Sequence, residues 1–397
     1  MKLAPWPHFD EEQIEAAAAV LRSGKVNAWT GGEVTAFEAE YAAWCGTSHA
    51  IALANGSLAL SAALLAVGVG RGDEVITTSR TFVATASAPV LLGARPVFAD
   101  VDPDSQVITA AAIEPLITPL TRAILVVHLA GWPADMPAIC ALARRHNLAV
   151  IEDCAQAHGA QLLVEGQWRS VGSFGDVAAW SFCQDKILTT GGEGGMVTTN
   201  NAALWQRIWS FKDHGKDPGL ALAPTDPRRK DFRWLHTGFG SNFRLTEMQA
   251  AIGRIQLKRL ADWQQLRDRN AHLLIEAIGT HPAVRVPTPP SEIRHAWYKF
   301  YAFIKTSALT KGWSRQRILE ELADLGVPAY SGSCSEVYLE ESFQQAGLAP
   351  LQPLSVARQL GQSSLMLLVH PTITLEQMQQ MAALVRQVLD QAVAQRV

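Results

Sequence analysis

Short apolar runs alternate with amphipathic segments along the first 200 residues of the chain. The apolar runs have the length of single strands, and the segments between them have the spacing of helices about ten residues long. Such alternation is typical of crossover units, in which a helix connects two parallel strands. We therefore predict a mainly parallel sheet flanked by helices. The predicted strands span residues 51–53, 74–77, 96–99, 123–127, 148–151, 177–180 and 196–199, and the predicted helices span 11–23, 34–44, 58–67, 82–92, 109–117 and 135–146.

The chain beyond residue 200 is organised differently. A loop over 214–233, rich in proline and charge, precedes a long predicted helix over about 246–278. Four prolines between 282 and 290 follow that helix and mark a domain boundary. We therefore predict a large domain over 1–280 and a smaller α+β domain over 281–397. The smaller domain is predicted to contain a strand over 298–304 and helices over 313–324 and 374–393.

Composition excludes several classes of protein. The chain has 34 basic and 37 acidic residues and a formal net charge of -3, whereas a nucleic-acid-binding protein needs a concentrated excess of lysine and arginine. Its five cysteines are an odd number without metal-ligand spacing, which favours a reducing cytoplasm and predicts no metal site. The N-terminus lacks a signal-peptide run, and no apolar stretch approaches the roughly 18 residues of a membrane helix. We therefore expect a soluble, cytoplasmic protein.

Two glycine-containing segments are candidates for binding a phosphate group. Residues 68–73 superficially resemble a dinucleotide-binding turn, but they follow a helix and precede a strand, which is the reverse of the order that a pyrophosphate loop requires. Asn55, Gly56 and Ser57 lie between a strand and a helix, so the first helical N–H groups and the Ser57 hydroxyl can bind a phosphate. A plain N-cap role for Ser57 is the structural alternative.

Two adjacent carboxylates, Glu152 and Asp153, follow a buried predicted strand. They lie at the end of the strand where open α/β sheets place ligands. Because a buried carboxylate costs free energy unless it is paired, we expect a cation nearby, either a metal ion or a protonated pyridine nitrogen. A cation would also lower the pKa of Asp153. An acid that caps the next turn is the structural alternative.

Lys186 lies just after a predicted strand and is followed by a glycine-rich segment over 189–195. A glycine-rich backbone makes room for a flat ring, and a sequestered lysine can lose its proton and act as a nucleophile. A charged turn between strands would not explain this context together with Asp153 upstream. The segment therefore predicts a nucleophilic lysine beside a planar group.

Several separated motifs, in the correct order, make the chain resemble the DegT/StrS family of sugar aminotransferases over nearly its whole length. Members of that family are fold type I pyridoxal-phosphate enzymes. The resemblance implies a large domain with a mainly parallel, seven-stranded sheet and a smaller C-terminal α+β domain. It also implies pyridoxal 5'-phosphate as the cofactor. The motifs span residues 29–31, 72–76, 81–85, 152–156, 181–186 and 242–244.

The resemblance implies a role for each matching residue. Lys186 matches the lysine that holds the cofactor as a Schiff base and moves a proton between Cα and C4′. Asp153 matches the carboxylate paired with the ring nitrogen, and Gln156 matches the residue that hydrogen-bonds the cofactor's 3-oxygen. Phe82 and Ala155 match the residues on the two ring faces, although core packing would otherwise explain Phe82. The phosphate-binding residues are matched by Gly56, Ser57, Ser181 and, from the neighbouring subunit, Asn242.

The resemblance also implies a reaction and an assembly. The reaction is a ping-pong transfer of an amino group from L-glutamate to a keto group of a nucleotide-linked deoxysugar, in a homodimer with shared sites. Amination of a cyclitol or another carbocyclic ketone is an alternative, and so is a non-catalytic regulator, against which the intact Lys186 and Asp153 argue. Two positions depart from the family pattern: Ser57 stands where threonine is common, and Cys183 stands where histidine is frequent.

Other polar residues allow two interpretations. Arg80 and Arg244 lie beside the motifs, where either could support a loop or an interface. The 212–235 loop either supplies cations for a diphosphate or is merely solvated. His128 and His158 are isolated and are expected to be structural. The candidate cations and polar groups of the loop are Lys212, His214, Lys216 and residues 228–230.

Overall fold

The structure, a computed structural model, describes residues 3–224, 228 and 231–393. Its strands are β1 (His49–Leu53), β2 (Glu74–Thr78), β3 (Arg95–Ala99), β4 (Thr121–Val127), β5 (Ala149–Asp153), β6 (Gln161–Val164), β7 (Gln167–Ser170), β8 (Val177–Ser181), β9 (Gly195–Thr199), β10 (Val284–Arg285), β11 (Ile293–Arg294), β12 (Phe300–Ile304), β13 (Ala329–Tyr330) and β14 (Ser364–Leu367). Its α-helices are α1 (Glu11–Ser23), α2 (Glu33–Cys45), α3 (Gly56–Ala66), α4 (Val83–Leu91), α5 (Ala110–Ile113), α6 (Met136–His146), α7 (Ala202–Lys212), α8 (Pro218–Leu222), α9 (Glu247–Ile278), α10 (Arg315–Asp324), α11 (Glu341–Gln345), α12 (Ser355–Ser363) and α13 (Leu375–Ala392).

A seven-stranded sheet lies at the centre of the large domain, in the order β1-β9-β8-β5-β4-β2-β3. Strand β9 runs antiparallel to its neighbours β1 and β8, and the other neighbouring pairs are parallel. The prediction of a mainly parallel seven-stranded sheet is confirmed. Because the six remaining strands point the same way, their carboxyl ends meet at one edge, which is the edge where open α/β sheets bind ligands.

Side chains of alternate strand residues fill separate cores on the two faces of this sheet. On β8, which is buried at every position, Trp180 packs with Tyr41 and Phe182 on one face. The preceding residue, Ala179, packs with Leu60 on the opposite face. Burial on both faces explains why the strands are continuously apolar rather than alternating with polar residues.

A second, antiparallel sheet in the order β10-β12-β14-β13 forms the centre of the C-terminal α+β domain. Helices α10 and α13 and the end of α9 pack on it, and their core includes Leu274, Phe300, Leu367 and Val385. The predicted fold class is therefore confirmed, whereas the exact boundary between residues 280 and 281 stays a prediction. Within the described residues, no helix is both long and apolar enough to span a bilayer.

The structure differs from the sequence prediction in several short elements. The hairpin β6–β7 and its partner β11 form a small third sheet that was not predicted, because strands this short carry too few residues for a clear period. The helix predicted over 109–117 is α5 followed by a 3-10 turn over Glu114–Leu116 that contains Pro115. Helix α8 lies within the predicted 214–233 loop, and α11 and α12 were also missed.

Candidate active site

A cleft of about 1170 Å³ opens at the edge where the carboxyl ends of the parallel strands meet. One side is formed by the loops that follow β1, β2, β5 and β8, and the other by residues of the C-terminal domain. We call these the sheet side and the small-domain side of the cleft. Eight of the nine predicted site residues line the sheet side, namely Gly56, Ser57, Phe82, Asp153, Ala155, Gln156, Ser181 and Lys186.

The first turn of α3 forms a cup of backbone N–H groups at the end of β1. Asn55 is the N-cap residue, and its side chain accepts a hydrogen bond from the Leu58 N–H at 2.9 Å. The N-cap interpretation of Ser57 was therefore wrong, and within the described chain its hydroxyl has no hydrogen-bond partner. A Cβ on Gly56 would lie 2.6 Å from the Cβ of Ser181, so only glycine lets these two loops meet. Free N–H groups at a helix N-terminus suit a phosphate.

Asp153 is buried at the end of β5 and faces the cleft. One carboxylate oxygen accepts a hydrogen bond from the Thr85 hydroxyl at 2.8 Å, and the other accepts one from the Ala155 N–H at 3.1 Å. Burial raises the pKa of Asp153 above its usual range, despite these hydrogen bonds and the nearby Lys186. In the protein alone, the loss of hydration outweighs the charges that the chain itself supplies, and the lowering of this pKa by a bound cation stays a prediction.

Three other predicted residues surround the space in front of Asp153. The Oε1 atom of Gln156 accepts a hydrogen bond from the Ala130 N–H at 2.8 Å, which fixes the amide and leaves its NH₂ group as a donor. Phe82 is 64% exposed and lines the cleft, so the core-packing interpretation of this side chain was wrong. Ala155 also lines the cleft, and its small side chain leaves room beside the loop.

Lys186 lies in the turn after β8, between the two sides of the cleft. Its backbone N–H donates to the Cys183 carbonyl at 3.0 Å, and its own carbonyl accepts a hydrogen bond from the Trp6 indole at 2.9 Å. Its Nζ atom lies 5.1 Å from the centre of the Tyr298 ring. The backbone is thus held on both sides, while the amine projects toward the small domain.

These residues fit the cofactor that the sequence implies. The glycine-dependent cup at α3 suits its phosphate, the buried carboxylate of Asp153 suits its cationic ring nitrogen, and Lys186 supplies an amine in the same cleft. A carboxylate whose pKa is raised by burial gains most from a cationic partner. The arrangement therefore matches a planar, phosphorylated pyridine compound.

Asn242 lies outside this cleft. It is exposed, and its side-chain oxygen accepts a hydrogen bond from the Arg244 N–H at 3.3 Å. Arg244 in turn donates to Asp213 at 3.0 Å, and the Trp29 indole donates to the same carboxylate at 2.9 Å. The motifs at 29–31 and 242–244 therefore meet at the buried Asp213, and the Phe243 carbonyl accepts a hydrogen bond from the Ala54 N–H at 2.8 Å, just before α3.

The candidate cations of the 212–235 loop have partners within the chain. Lys212 is the buried last residue of α7, with its Nζ 3.9 Å from Glu38. Lys216 pairs with Asp213 at 3.0 Å, and neither lysine lines the cleft. His214 is exposed and donates its backbone N–H to another loop residue. Arg229 and Lys230 lie outside the described residues.

Arg80 supports a loop rather than a substrate. It is fully buried, and its guanidinium donates twice to Gln106 and once, at 2.8 Å, to the Ser335 hydroxyl. It thereby joins the loop after β2 to the small domain. Within the described residues, no arginine lines the cleft.

Glu152, the second carboxylate of its motif, points into the core. Its oxygens accept hydrogen bonds from His128 and from the N–H groups of Gly172, Phe174 and Gly175, all between 2.7 and 3.0 Å. Candidate ligand atoms of Glu152, His128 and Cys154 lie within 4.8 Å of one another. Burial raises the pKa of the Cys154 thiol, however, which disfavours the thiolate that a metal requires. The hydrogen bonds account for this carboxylate, and His128 is structural as expected.

His158 is buried against the rings of Trp180 and Phe182. Neither ring nitrogen has a hydrogen-bond partner within the described residues. Burial lowers its pKa to about 3, with smaller contributions from Lys186 and Arg267. The imidazole is therefore neutral and acts as a packing group beneath the sheet side of the cleft.

The small-domain side was not predicted from the sequence. Tyr298 and Lys299 line the cleft opposite Lys186, and Tyr301, Tyr330 and Glu340 continue this side. The strand over 298–304 was predicted, but its hydrophobic pattern contains no signal for a site. Asp185, next to Lys186, accepts a hydrogen bond from the Tyr298 hydroxyl. Its position beside Lys186 was the one sequence signal that could have identified Asp185 as a site residue.

Known proteins resemble the chain over most of its length. The profile of the DegT/DnrJ/EryC1/StrS aminotransferase family matches residues 7–386. Over 271 residues the chain is 42% identical to the UDP-N-acetyl-3-dehydro-alpha-D-glucosamine 3-aminotransferase of Acidithiobacillus ferrooxidans, with 68% of each protein covered. Over 339 residues it is 38% identical to the L-glutamine:2-deoxy-scyllo-inosose aminotransferase of Streptoalloteichus tenebrarius, with 83% of this chain and 78% of that protein covered.

A solved structure agrees with the fold as a whole. The X-ray structure of the aminotransferase from Psychrobacter cryohalolentis is 49% identical, with a TM-score of 0.95 over 98% of this chain and 100% of that chain. Together with the family match, this identifies the fold and the class of reaction. The chain therefore belongs to the DegT/DnrJ/EryC1/StrS aminotransferase family and is a fold type I, pyridoxal-phosphate-dependent transaminase.

Proposed function

We propose that this transaminase moves an amino group from L-glutamate to a keto group of a nucleotide-linked deoxysugar. The observation that carries the proposal is the cleft. Its volume of about 1170 Å³ includes the space for the cofactor and lies slightly above the usual range of sites for one small molecule, roughly 300–1,000 Å³. Enzymes that bind dicarboxylic substrates in both half-reactions usually hold the second carboxylate with a bidentate arginine, and the described lining contains none. A large, open, tyrosine-lined cleft suits an extended acceptor with many hydroxyl groups.

The sheet side performs the chemistry common to all substrates. When bound, the cofactor supplies an electron sink and carries the amino group between the two half-reactions. Lys186 holds the cofactor covalently at rest, and its freed amine moves the proton at the substrate carbon. Asp153 stays ionised opposite the ring nitrogen, because the attraction to a cation there offsets the free energy lost when the carboxylate is buried. Gly56, Ser57 and Ser181 bind the phosphate.

Two further parts of the sheet side orient the ring. The amide NH₂ of Gln156, fixed by its contact with Ala130, donates to the 3-oxygen of the cofactor. Phe82 and Ala155 pack on opposite ring faces, and the exposed position of Phe82 in the cleft supports this role. Both contacts restrict rotation of the ring, so the reacting carbon stays within reach of Lys186.

We also propose a homodimer in which Asn242 serves the neighbouring subunit's phosphate site. Asn242 is exposed and does not line the cleft of its own chain, so its side chain is available to a neighbouring subunit. Three nearby aromatic side chains, Phe232, Trp234 and Phe239, are 71%, 82% and 102% exposed. Exposed aromatic clusters of this kind are typical of protein interfaces.

We also propose a cytoplasmic location, which the five free cysteines suit.

A carbocyclic ketone is the second candidate acceptor, because one relative is named for amination of 2-deoxy-scyllo-inosose. The charge of the cleft also favours it. Within the described residues, the lining has four carboxylates but only two lysines, Lys186 and Lys299. A diphosphate would therefore need cations from a neighbouring subunit or from outside the lining, whereas a neutral cyclitol would not.

A panel of acceptors distinguishes these candidates. Purified enzyme loaded with the cofactor is given L-glutamate and, in parallel, nucleotide-linked ketosugars, a cyclitol ketone, oxaloacetate and pyruvate. We expect efficient turnover with at least one nucleotide-linked ketosugar. Turnover of the cyclitol ketone alone would select the second candidate, and turnover of the small keto acids alone would contradict both.

A further inference from the structure

A cluster of three polar side chains lies beside Lys186: its sequence neighbour Asp185, and Tyr298 and Lys299 from the small-domain side. The Tyr298 hydroxyl donates to an Asp185 oxygen, and the Lys299 Nζ atom lies 3.6 Å from the same oxygen. The Nζ atoms of Lys186 and Lys299 lie 5.1 and 4.6 Å from the centre of the Tyr298 ring. The two amines thus lie beside a single aromatic ring.

Lys299 is poorly hydrated and incompletely paired. Its side chain is 18% exposed, and burial lowers its pKa, although Asp185 opposes that effect. An ammonium group has three N–H donors, and among the described residues Asp185 supplies its one ion pair. The Asp185 carboxylate also accepts the Tyr298 hydrogen bond, so its charge is divided between two partners. Lys299 therefore keeps donors for a ligand in the cleft.

The charges around Lys299 restrict what that ligand can be. The described lining also carries Asp153, Asp185, Glu193 and Glu340, and it contains no arginine or histidine. With Lys186 committed to the cofactor under the proposed function, Lys299 is the remaining cation of this lining. An anionic group that enters the cleft from solvent meets repulsion at the carboxylates and attraction at Lys299. The group complementary to Lys299 itself is an anion, and the surrounding carboxylates limit that anion to a small one.

We propose that Lys299 binds a carboxylate of the amino donor, and that Asp185 and Tyr298 hold Lys299 in place before the donor arrives. This inference rests on the proposed function, since it requires an amino acid as the donor. The donor's nitrogen must reach the cofactor where Lys186 is attached, and Lys299 lies beside that point on the same tyrosine ring. Either the α-carboxylate or the side-chain carboxylate of glutamate satisfies the charge requirement.

The test uses the cofactor-loaded enzyme and separates the two half-reactions by absorbance, because the pyridoxal and pyridoxamine forms of the cofactor differ in colour. In Lys299→Met, the amino-acid concentration for half-maximal conversion should rise about ten- to one-hundred-fold. This is the loss of affinity expected when one hydrogen bond to a charged group is removed. The return reaction with the keto acceptor should change little. Lys299→Arg should recover most of the donor affinity. Lys305→Met, at an exposed lysine outside the cleft lining, is the matched control.

Two further measurements identify the carboxylate and guard against a folding defect. L-glutamine keeps the α-carboxylate of glutamate and lacks the second one. An equal loss for both donors in Lys299→Met assigns the α-carboxylate, and a loss for glutamate alone assigns the side chain. Glutarate, which cannot transfer nitrogen, should bind the wild-type enzyme in calorimetry and should lose about ten-fold or more of its affinity in Lys299→Met.

Each outcome decides the proposal. An unchanged donor response together with unchanged glutarate binding in Lys299→Met overturns it. An equal loss in both half-reactions also overturns it, because that result indicates a general effect on the cofactor. If none of the amino acids tested converts the cofactor of the wild-type enzyme, the proposed function fails. Glutarate binding then still decides whether Lys299 holds a carboxylate.

Discussion

The two sides of the cleft are built in different ways. On the sheet side, Asp153 and Ser181 are the last residues of buried central strands, and Lys186 follows one of them. On the small-domain side, Lys299 directly precedes β12 and Tyr301 lies within it, whereas Tyr330 ends a strand of two residues and the residues beyond it, including Cys334, lie in loops. Rigid strand ends suit the groups that are needed in the same position for every substrate. Loops can differ in sequence and length between enzymes that act on different substrates. The comparison suggests that cofactor chemistry resides on one side and substrate recognition on the other.

The largest expected effect comes from removing the amine of the sheet side. Lys186→Ala should lower turnover by about 10⁴-fold or more, because both the covalent attachment and the proton transfer at the substrate carbon are lost. The cofactor should still bind non-covalently through the cup at α3 and Asp153. Steady-state turnover and cofactor content measure the two effects. Turnover close to wild type would place the chemistry on another lysine.

The sheet side could be predicted from the sequence because its residues are local to recognisable elements. Gly56, Asp153 and Lys186 each lie within a few positions of a strand end, and the strands themselves have clear apolar runs. The small-domain side could not be predicted in this way. Tyr298 meets Asp185 across 113 residues of sequence, and Trp6 reaches Lys186 across 180. Such contacts depend on how separate elements pack, and no local pattern encodes that packing.

Burial explains what sequence reasoning about charge could not supply. A strand-end carboxylate predicts a partner for a cation, but the extent of dehydration at Asp153 depends on the whole fold. The same limit applies to Lys212, which looks like a loop cation in the sequence and is a buried helix residue beside Glu38. Residue types could therefore be read from the sequence, whereas their hydration could not.

The second largest effect should come from Asp153. Asp153→Asn should lower turnover by about 10²- to 10⁴-fold, because a neutral amide does not stabilise a protonated ring nitrogen. Thr85→Val, which removes one hydrogen bond to this carboxylate, should cost only about ten-fold. Turnover and thermal unfolding are measured together, so that loss of activity is separated from loss of fold. Near-normal turnover of Asp153→Asn would refute the pairing.

Subunit exchange tests whether Asn242 of one subunit contributes to the cofactor site of the other. Lys186→Ala and Asn242→Ala chains should each be inactive or nearly so alone. If sites are shared, an equal mixture should recover up to about a quarter of wild-type activity, since half of the dimers then contain one intact site. Each variant mixed with itself is the control. Verified exchange without recovery would count against sharing.

The smallest expected effect concerns stability beneath the sheet side. Burial lowers the pKa of His158 to about 3 from a reference of 6.5, so the unfolded chain binds this proton first as the pH falls. The contribution of the neutral imidazole to the free energy of unfolding is fully present above pH 6.5 and declines toward pH 3. At pH 5 it has fallen by about 2 kcal/mol.

Denaturant unfolding at pH 8 and pH 5 measures this contribution. His158→Leu should lose less stability between the two pH values than the wild-type protein does, by about the same 2 kcal/mol. His272→Leu, at an exposed position on α9, should keep the wild-type pH dependence. An identical pH dependence in His158→Leu and wild type would mean that His158 is not held neutral by burial.

The assignment of chemistry to the sheet side is tested most directly by mapping the covalent bond to the cofactor. Among the described residues, the cleft lining has two lysines, Lys186 on the sheet side and Lys299 on the small-domain side, which makes the outcome decisive between the two sides. The purified, cofactor-loaded enzyme is reduced with borohydride, digested and analysed by peptide mass spectrometry. We predict that the reduced cofactor is attached to Lys186 alone. Attachment to Lys299, or to Lys212 or Lys216, would contradict the division of roles between the two sides.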